Sequence, residues 1–226
     1  MIKTKFNFLL AFLTLITLYA SSSMALQGRV DIGPAWVGLD VLESGKTIES
    51  RQLLAVKGDA TLLIKDGIFI KPSFLLGSHK AQLAAGSIAI GQALPIKDCF
   101  ILFPQIGYTW TYLHIDIDIE LLGLSGLRER FRSRGPYIGL DLSYKLTDKL
   151  TLVGTYQYAW SRTHTVIKPI VSSTSHSSGS NYAIGLDYSL NPNWSISLGL
   201  GYNISLSREK HGLRGKGAKL GLAYYF

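Results

Sequence analysis

Between Trp194 and Ser207 the chain reads WSISLGLGYNISLS, and every position of this stretch obeys a period of two. Its even positions carry large apolar side chains, namely Trp194, Ile196, Leu198, Leu200, Tyr202, Ile204 and Leu206. Its odd positions carry small or polar residues, namely Ser195, Ser197, Gly199, Gly201, Asn203, Ser205 and Ser207. Because successive side chains of a β-strand point to opposite faces, this period predicts a strand with one apolar and one small polar face.

The same alternation continues over residues 181–190 and 138–146. A strand of a soluble sandwich alternates as well, but its polar face meets bulk water, where Lys, Glu and Thr are common. Here that face is mostly Gly, Ser, Ala and Asn, which suit the crowded interior of a closed barrel. We therefore predict an all-β fold, a transmembrane antiparallel up-and-down β-barrel whose even positions face lipid and whose odd positions face the lumen.

Turn signals set the number of strands. Tight turns are predicted at 65–67, 95–98, 147–149 and 191–193, and longer connections near 42–51, 78–82, 120–128, 166–179 and 208–215. Short and long connections alternate, which is typical of outer-membrane barrels with short periplasmic turns and long external loops. The resulting strands are 29–41, 52–65, 67–77, 83–94, 99–120, 128–146, 150–165, 180–190, 194–207 and 216–226. This gives ten strands with both termini periplasmic, and eight is the alternative.

The first 25 residues predict a cleaved signal peptide. Lys3 and Lys5 precede an apolar run over 8–20, and the small residues Ser23 and Ala25 occupy the two positions that a signal peptidase reads. The apolar run is shorter than the ~20 residues that a spanning helix needs. Residues 26–226 then form one barrel domain in the bacterial outer membrane.

Composition narrows the partners. The chain is 47% hydrophobic and has a formal net charge of +8. For an exported protein this charge favours anionic lipid or glycan over nucleic acid, which we exclude as a partner. Cys99 is the single cysteine, so an internal disulfide is excluded. No cofactor or metal site is expected.

Charged residues at odd positions are predicted to lie in the lumen. Charges inside a narrow barrel are costly unless they are paired, and both signs are present. We therefore expect an ion-pair network, with a charged path for small solutes as the alternative. The predicted lumen charges are Arg29, Asp31, Lys57, Asp59, Lys71, Asp141, Lys145, Asp187 and Lys219.

A charged hairpin is predicted around the tip at 123–126. Above Tyr112 the even positions become charged while the odd positions become apolar, with Leu113 and a row of isoleucines. The expected cross-strand ion-pair ladder joins Glu120 to Arg128, Asp118 to Arg130, Asp116 to Arg132 and His114 to Arg134. Each opposite-charge pair would contribute roughly 0.2–1 kcal/mol. The sequence thus predicts a β-hairpin that protrudes from the cell surface.

The other face of this hairpin is apolar, with Phe131 beside the isoleucines, and two interpretations stay open. It can fold over the barrel mouth as a plug, or it can form an exposed adhesive surface. Arginines at the rim can also bind the phosphates of lipopolysaccharide. The five histidines all fall at the predicted external end, but nothing in the sequence indicates that they converge on a metal. A hydrolase based on His114 and Asp116 is the least favoured interpretation, since no serine, second histidine or carboxylate pair at fixed spacing supports it.

The last strand ends with apolar residues on one face and an aromatic terminus: Ala218, Leu220, Leu222, Tyr224 and Phe226. This ending resembles the terminal signal of bacterial outer-membrane barrels, and the chain as a whole resembles the small barrels of the OmpA, OmpX and OmpW kind. The resemblance implies that barrel-assembly machinery recognises Leu220, Leu222, Tyr224 and Phe226. It also implies outer-membrane lipid and lipopolysaccharide as partners.

The sequence therefore predicts an outer-membrane barrel that is not an enzyme. Its expected role is structural or surface-interacting, with an external ligand or host surface as the partner of the protruding hairpin. The alternative is a channel for small solutes. Such a channel would be narrow, because ten strands lie near the size at which side chains fill the interior. A hydrolase at the rim is a distant third.

Overall fold

The computed structural model describes residues 27–79, 81–119, 124–168 and 171–226. The predicted signal peptide and Glu120 lie outside these residues. The side chains of Asp116, Asp118 and Arg128 also lie outside the description, although the backbone there is described.

Antiparallel strands account for most of the described chain. They are β1 (Gln27–Glu43), β2 (Lys46–Leu63), β3 (Ile68–His79), β4 (Ala81–Gln92), β5 (Leu94–Lys97), β6 (Phe100–Ile119), β7 (Leu124–Lys145), β8 (Leu150–Lys168), β9 (Val171–Ser189), β10 (Trp194–Ser207) and β11 (Gly212–Tyr225). No helix in the described ranges is long and apolar enough to cross a membrane.

The sheet closes on itself. Apart from β4 and β5, strands that follow each other in the chain pair with each other; in addition β1 pairs with β11, and β4 pairs with β6. The short strand β5 continues β4 beyond the break at Ala93 and pairs with the same neighbour, β6, so β4 and β5 together count as one strand of the barrel. Counted in this way, the barrel has ten strands around its circumference, which confirms the predicted antiparallel ten-stranded barrel rather than the eight-stranded alternative.

Side-chain exposure follows the predicted parity. Even-numbered apolar residues are exposed on the outside, as shown by Ile106 at 63% and Leu200 at 58% exposure. Odd-numbered neighbours such as Ser195 and Ala223 are buried. An outside covered with leucine, isoleucine and aromatic rings is stable in hydrocarbon, where a closed barrel pairs its backbone groups between neighbouring strands.

Aromatic residues mark both limits of the apolar outer band. On β7 the outward residues from Tyr144 to Pro136 are apolar, and on β8 the band ends at Trp160. This span of nine residues on β7 matches the ~9–11 that a tilted strand needs to cross a bilayer. Trp194 and Tyr224 lie together at the opposite limit, with ring centroids 4.8 Å apart.

The two ends of the barrel differ. The turn end holds both ends of the described chain and the tight turns, where Asn191 Oδ1 accepts hydrogen bonds from the amides of Asn193 at 3.0 Å and Trp194 at 2.9 Å. The loop end, opposite, is formed by the β1–β2, β3–β4, β6–β7, β8–β9 and β10–β11 connections.

At the loop end the strands are longer than predicted. Most of the predicted connections at 42–51 and 166–179 and half of that at 208–215 form strand. Strands β8 and β9 pair continuously from Leu150 with Tyr188 to Ile167 with Val171. The prediction of a loop over 166–179 was wrong because it relied on apolar alternation. Outside the lipid band neither face of a strand must be apolar, so backbone pairing extends through a serine-rich segment without that signal.

Candidate functional site: the lumen and the outer face of the loop end

An ion-pair network crosses the lumen towards the turn end. Arg29 Nη2 lies 3.0 Å from Asp31 and 2.9 Å from Asp187. Lys219 Nζ lies 2.9 Å from Asp31 and 3.1 Å from Asp59. The network also contains the pairs Lys57–Asp59 at 3.7 Å and Lys71–Asp141. We call these eight residues the charged septum.

The charged septum is electrically neutral, because its four cationic side chains match its four carboxylates. Burial of charge in a low-dielectric barrel requires such pairing. Lys145, which the sequence also placed in the lumen, is the exception. Its side chain is 51% exposed at the turn end and lies 2.9 Å from Asp148. It ends β7, where the lumen opens and the parity rule no longer implies burial.

Gly221 provides the space for the tightest part of the septum. A Cβ built on this residue would overlap the carboxylate of Asp31 and the hydroxyl of Ser197, and it would lie 2.9 Å from Cε of Lys219. Only glycine leaves room there for the Lys219–Asp31 contact.

The septum separates two cavities. One has a volume of about 770 Å³ and lies on the turn-end side, and the other has a volume of about 420 Å³ and lies on the loop-end side. Lys57, Asp59, Lys71 and Lys219 line both. Side chains of the septum therefore lie where the two cavities meet.

Apolar side chains fill much of the lumen at the loop end. This apolar cluster consists of Leu39, Leu53, Ala81, Leu83, Leu113, Ile115 and Leu213, with Val37, Val41, Leu75 and Phe131 packed against it. Leu113 and Ile115 are each only 1% exposed. The predicted apolar face of the hairpin thus points inward at Leu113, Ile115 and Phe131, as the plug interpretation requires. The other interpretation, in which these three residues form an exposed adhesive surface, was wrong.

The β6–β7 hairpin exists with a different register from the expected one. The observed partners are Asp116 with Arg128, His114 with Arg130, Tyr112 with Arg132 and Trp110 with Arg134. Each arginine therefore faces the residue four positions earlier than predicted, and Glu120 lies outside the described residues. A shift by an even number keeps every side chain on its face, so the apolar pairing of the lipid band, such as Ile106 with Ile138, fixes the register instead.

Basic side chains form a compact group on the outside of β7, β8 and β9. Arg134 pairs across the strands with Arg162, which pairs in turn with His176, and Arg132 pairs with His164. All five are exposed. We call them the basic cluster. Arg162 was missing from the predicted site because the sequence showed it near the end of a strand and gave no sign of its neighbours.

Few contacts hold the basic cluster. The guanidinium of Arg132 lies over the ring of Tyr112, 5.5 Å from its centroid, and His164 Nδ1 lies 3.0 Å from Thr174 Oγ1. Among the side chains that the structure describes, no carboxylate pairs with Arg132, Arg134 or Arg162. Because directly opposed like charges destabilise a sheet, the Arg134–Arg162 pair is unfavourable in isolation.

The opposite wall of the loop end has paired charges. Asp40 on β1 accepts a hydrogen bond from Arg214 Nε at 2.9 Å and another from Ser50. Arg214 also donates to Thr47 Oγ1 at 3.0 Å. The hydrogen bond from Ser50, followed by that from Arg214, lowers the pKa of Asp40 below its ordinary value.

The histidines do not form a metal site in the described part of the chain. His114, His164, His176 and His211 belong to different strands or turns, and no three metal-ligating side chains come together among the residues described. The side chain of Asp116 lies outside the description, so the structure adds no geometry to the hydrolase interpretation.

The predicted assembly residues lie on the outer surface of β11 at the turn end. Leu220, Leu222 and Tyr224 are exposed to the lipid band. Tyr224 stacks on Phe226 with centroids 6.2 Å apart. They thus form a continuous apolar and aromatic edge, and recognition of this edge by assembly machinery stays a prediction.

A closed barrel with a lipid-facing apolar band and aromatic limits defines an integral outer-membrane β-barrel protein. The sequence model of one such family, described as Pom, Protochlamydia outer membrane protein, matches residues 78–219, which is more than half of the chain. The chain belongs to this family.

Solved structures show the same fold at low sequence identity. The outer membrane protease OmpT of Escherichia coli is 13% identical with a TM-score of 0.61, over 91% of this chain and 99% of that chain. The translocator domain of the autotransporter NalP of Neisseria meningitidis is 11% identical with a TM-score of 0.50, over 96% of each chain. No curated protein matches the sequence.

Proposed function

We propose that the protein is a non-enzymatic barrel of the outer membrane that closes its own lumen and interacts with ligands through the outer face of its loop end. Strand length is the observation that carries this proposal. Strands β6, β7, β8 and β9 have 20, 22, 19 and 19 residues, about twice what crossing the lipid requires. Their surplus length extends the sheet beyond the lipid band at the loop end.

The inward face of this extension is committed to packing, since Leu113 and Ile115 belong to the apolar cluster. Its outward face therefore remains available for an external partner, and that face is polar and basic. This supports surface interaction through charge rather than through the apolar row considered from the sequence.

The proposed orientation places the loop end outside the cell and both termini in the periplasm. Tight turns and chain ends share the turn end, as in barrels with short periplasmic turns. An epitope tag inserted at Ser125 is expected to be reached by antibody on intact cells, whereas a matched tag at Asn193 is not. Access to the Asn193 tag alone would invert the proposal. Mass spectrometry of the mature protein tests the proposed cleavage after Ala25.

Lumen closure predicts electrical silence. In planar bilayers the purified barrel is expected to show no steady conductance, because the charged septum and the apolar cluster lie in series. We expect higher conductance than in the wild type from a quadruple variant that carries Leu53→Ala and Leu113→Ala in the apolar cluster and Lys71→Ala and Asp141→Ala in the septum. Steady openings of the wild-type barrel would contradict closure.

A narrow channel for small solutes is the second candidate. The two cavities favour it, because together they reach from the turn end towards the loop end and only the septum side chains divide them. Under this alternative, wild-type conductance would appear and would change its ion selectivity in Lys71→Ala. Under the first proposal neither effect is seen.

A further inference from the structure

We propose that the basic cluster binds the phosphate groups of an anionic glycolipid in the outer leaflet of the membrane that holds the barrel. The inference deepens the proposed surface interaction and rests on the proposed orientation, because the loop end must face the outer leaflet. Three observations carry it: the position of the cluster, its positive charge, which no carboxylate among the described side chains balances, and its contrast with the opposite wall.

The position matches the depth of lipid headgroups. Trp160 is the last outward residue of the apolar band on β8, and Arg162 is the next outward residue. On β7, Arg134 follows Pro136 in the same way. Aromatic rings mark the boundary between hydrocarbon and headgroups, so the first charged positions beyond them lie at phosphate depth.

The charge of the cluster calls for an anion. Arg134 and Arg162 are directly opposite each other, and Arg132 lies two positions along the same face of β7. Cross-strand neighbours have Cβ atoms ~4.5–5.5 Å apart, which lets two guanidinium groups reach one phosphate. Arginine binds phosphate through paired, charge-assisted hydrogen bonds, and this offsets the repulsion between the two side chains. His164 and His176 extend the donor surface at either side.

The opposite wall shows that the fold can pair charges where it needs no ligand. Asp40 and Arg214 form an ion pair on that wall, also at the loop end of the barrel. The arginines on β7 and β8 have no such carboxylate among the described side chains. A lipid is the favoured anion because the apolar band directly below the cluster binds its acyl chains, so one ligand contacts both surfaces.

The test uses the purified barrel in nonionic detergent, which makes it independent of orientation in the cell. Binding is measured by native mass spectrometry or thermal shift with lipid A carrying two phosphates, with the same glycolipid after dephosphorylation, and with inorganic phosphate. The triple variant Arg132→Gln, Arg134→Gln, Arg162→Gln is compared with Lys46→Gln, Arg208→Gln, Lys216→Gln. The second variant removes the same number of charges from exposed residues elsewhere at the loop end.

The phosphorylated lipid is expected to bind the wild type and the control variant alike, and the triple variant is expected to lose affinity about tenfold or more. Binding should also weaken as salt increases, because the cluster is exposed. Equal binding of the dephosphorylated glycolipid, or equal binding by the triple variant, would overturn the proposal.

Two further outcomes identify a different anion. Complete competition by millimolar inorganic phosphate would show a free-phosphate site rather than a lipid site. Tighter, arginine-dependent binding of a sulfated polysaccharide such as heparin would instead assign the cluster to a ligand from outside the cell. Either result overturns the lipid proposal, whereas the Ser125 tag alone decides the orientation.

Discussion

The two halves of the lumen fill the same kind of space with opposite chemistry. Towards the turn end, eight charged side chains neutralise one another in the septum, and towards the loop end leucine and isoleucine form the apolar cluster. The inward residues of both halves have odd numbers. An odd position therefore determines that a side chain faces the lumen, but not whether that side chain is charged or apolar. The difference lies in tolerance, because an apolar cluster accepts substitutions of similar volume whereas a paired network requires each partner.

The largest effect is expected from a charge placed in the apolar half. Leu113→Asp would bury a carboxylate among leucines without a partner, and we expect a loss of unfolding free energy of about 4 kcal/mol or failure to insert. Urea unfolding in lipid vesicles, followed by tryptophan fluorescence, measures it. Leu113→Met is the control and should cost less than about 1.5 kcal/mol. A small effect of Leu113→Asp would mean that water enters the cluster.

In the charged half, the key residue is Lys219, which contacts two carboxylates. Lys219→Ala leaves Asp31 and Asp59 facing each other with one contact fewer each, and we expect a loss of about 3 kcal/mol in the same assay. Lys57→Ala is the matched control, since the side chain of Lys57 is 41% exposed and its ion pair with Asp59 is longer, at 3.7 Å. Equal losses of unfolding free energy for both lysine substitutions would show that the septum depends on its overall charge balance and not on specific ion pairs.

Gly221→Ala sharpens the comparison by leaving every charge in place. Its Cβ would displace Asp31 from Lys219, and we expect a cost of about 2 kcal/mol from overpacking. Gly201→Ala is the control, because its Cβ meets nothing nearer than the carbonyl oxygen of Tyr182 at 3.7 Å. If both alanines were tolerated, the septum would have room to rearrange.

The smallest effect is expected for an ion pair of the same chemistry outside the lipid band. Asp40→Asn should cost below about 1 kcal/mol at neutral pH, since rim pairs are screened by water. The pKa of Asp40 is lowered in the folded state, so its contribution is present above the ordinary value of 3.8 and is lost as pH falls through the folded pKa. The wild type and Asp40→Asn should therefore converge in stability at acid pH. A constant difference would assign the effect to packing.

Parity made most of the barrel predictable. The alternation of residues 194–207 and its repeats predicted the lipid face and the inward position of eight of the nine proposed lumen charges, because hydrocarbon outside and a narrow lumen inside constrain every second residue. Turn signals predicted the ten strands. The same reasoning predicted the apolar plug as one of two interpretations for Leu113 and Ile115.

Where the lipid ends, that constraint ends as well. The segment 172–180 has no apolar alternation, yet it pairs along β8 through backbone hydrogen bonds. The register of the β6–β7 hairpin was wrong by four residues because charges on one face repeat every two positions. For the same reason the neighbours of Arg162 were invisible, since the sequence gives no pairing between strands at the rim.

The first and last strands meet in one seam. Gly28 donates its amide to the carbonyl of Phe226 at 2.9 Å, and the Phe226 amide donates back at 3.1 Å. The ring therefore cannot be completed until β11 has arrived, and a chain stopped before it would expose two bare strand edges to hydrocarbon. Completion of the barrel therefore depends on the pairing of the fourteen-residue strand β11 with β1.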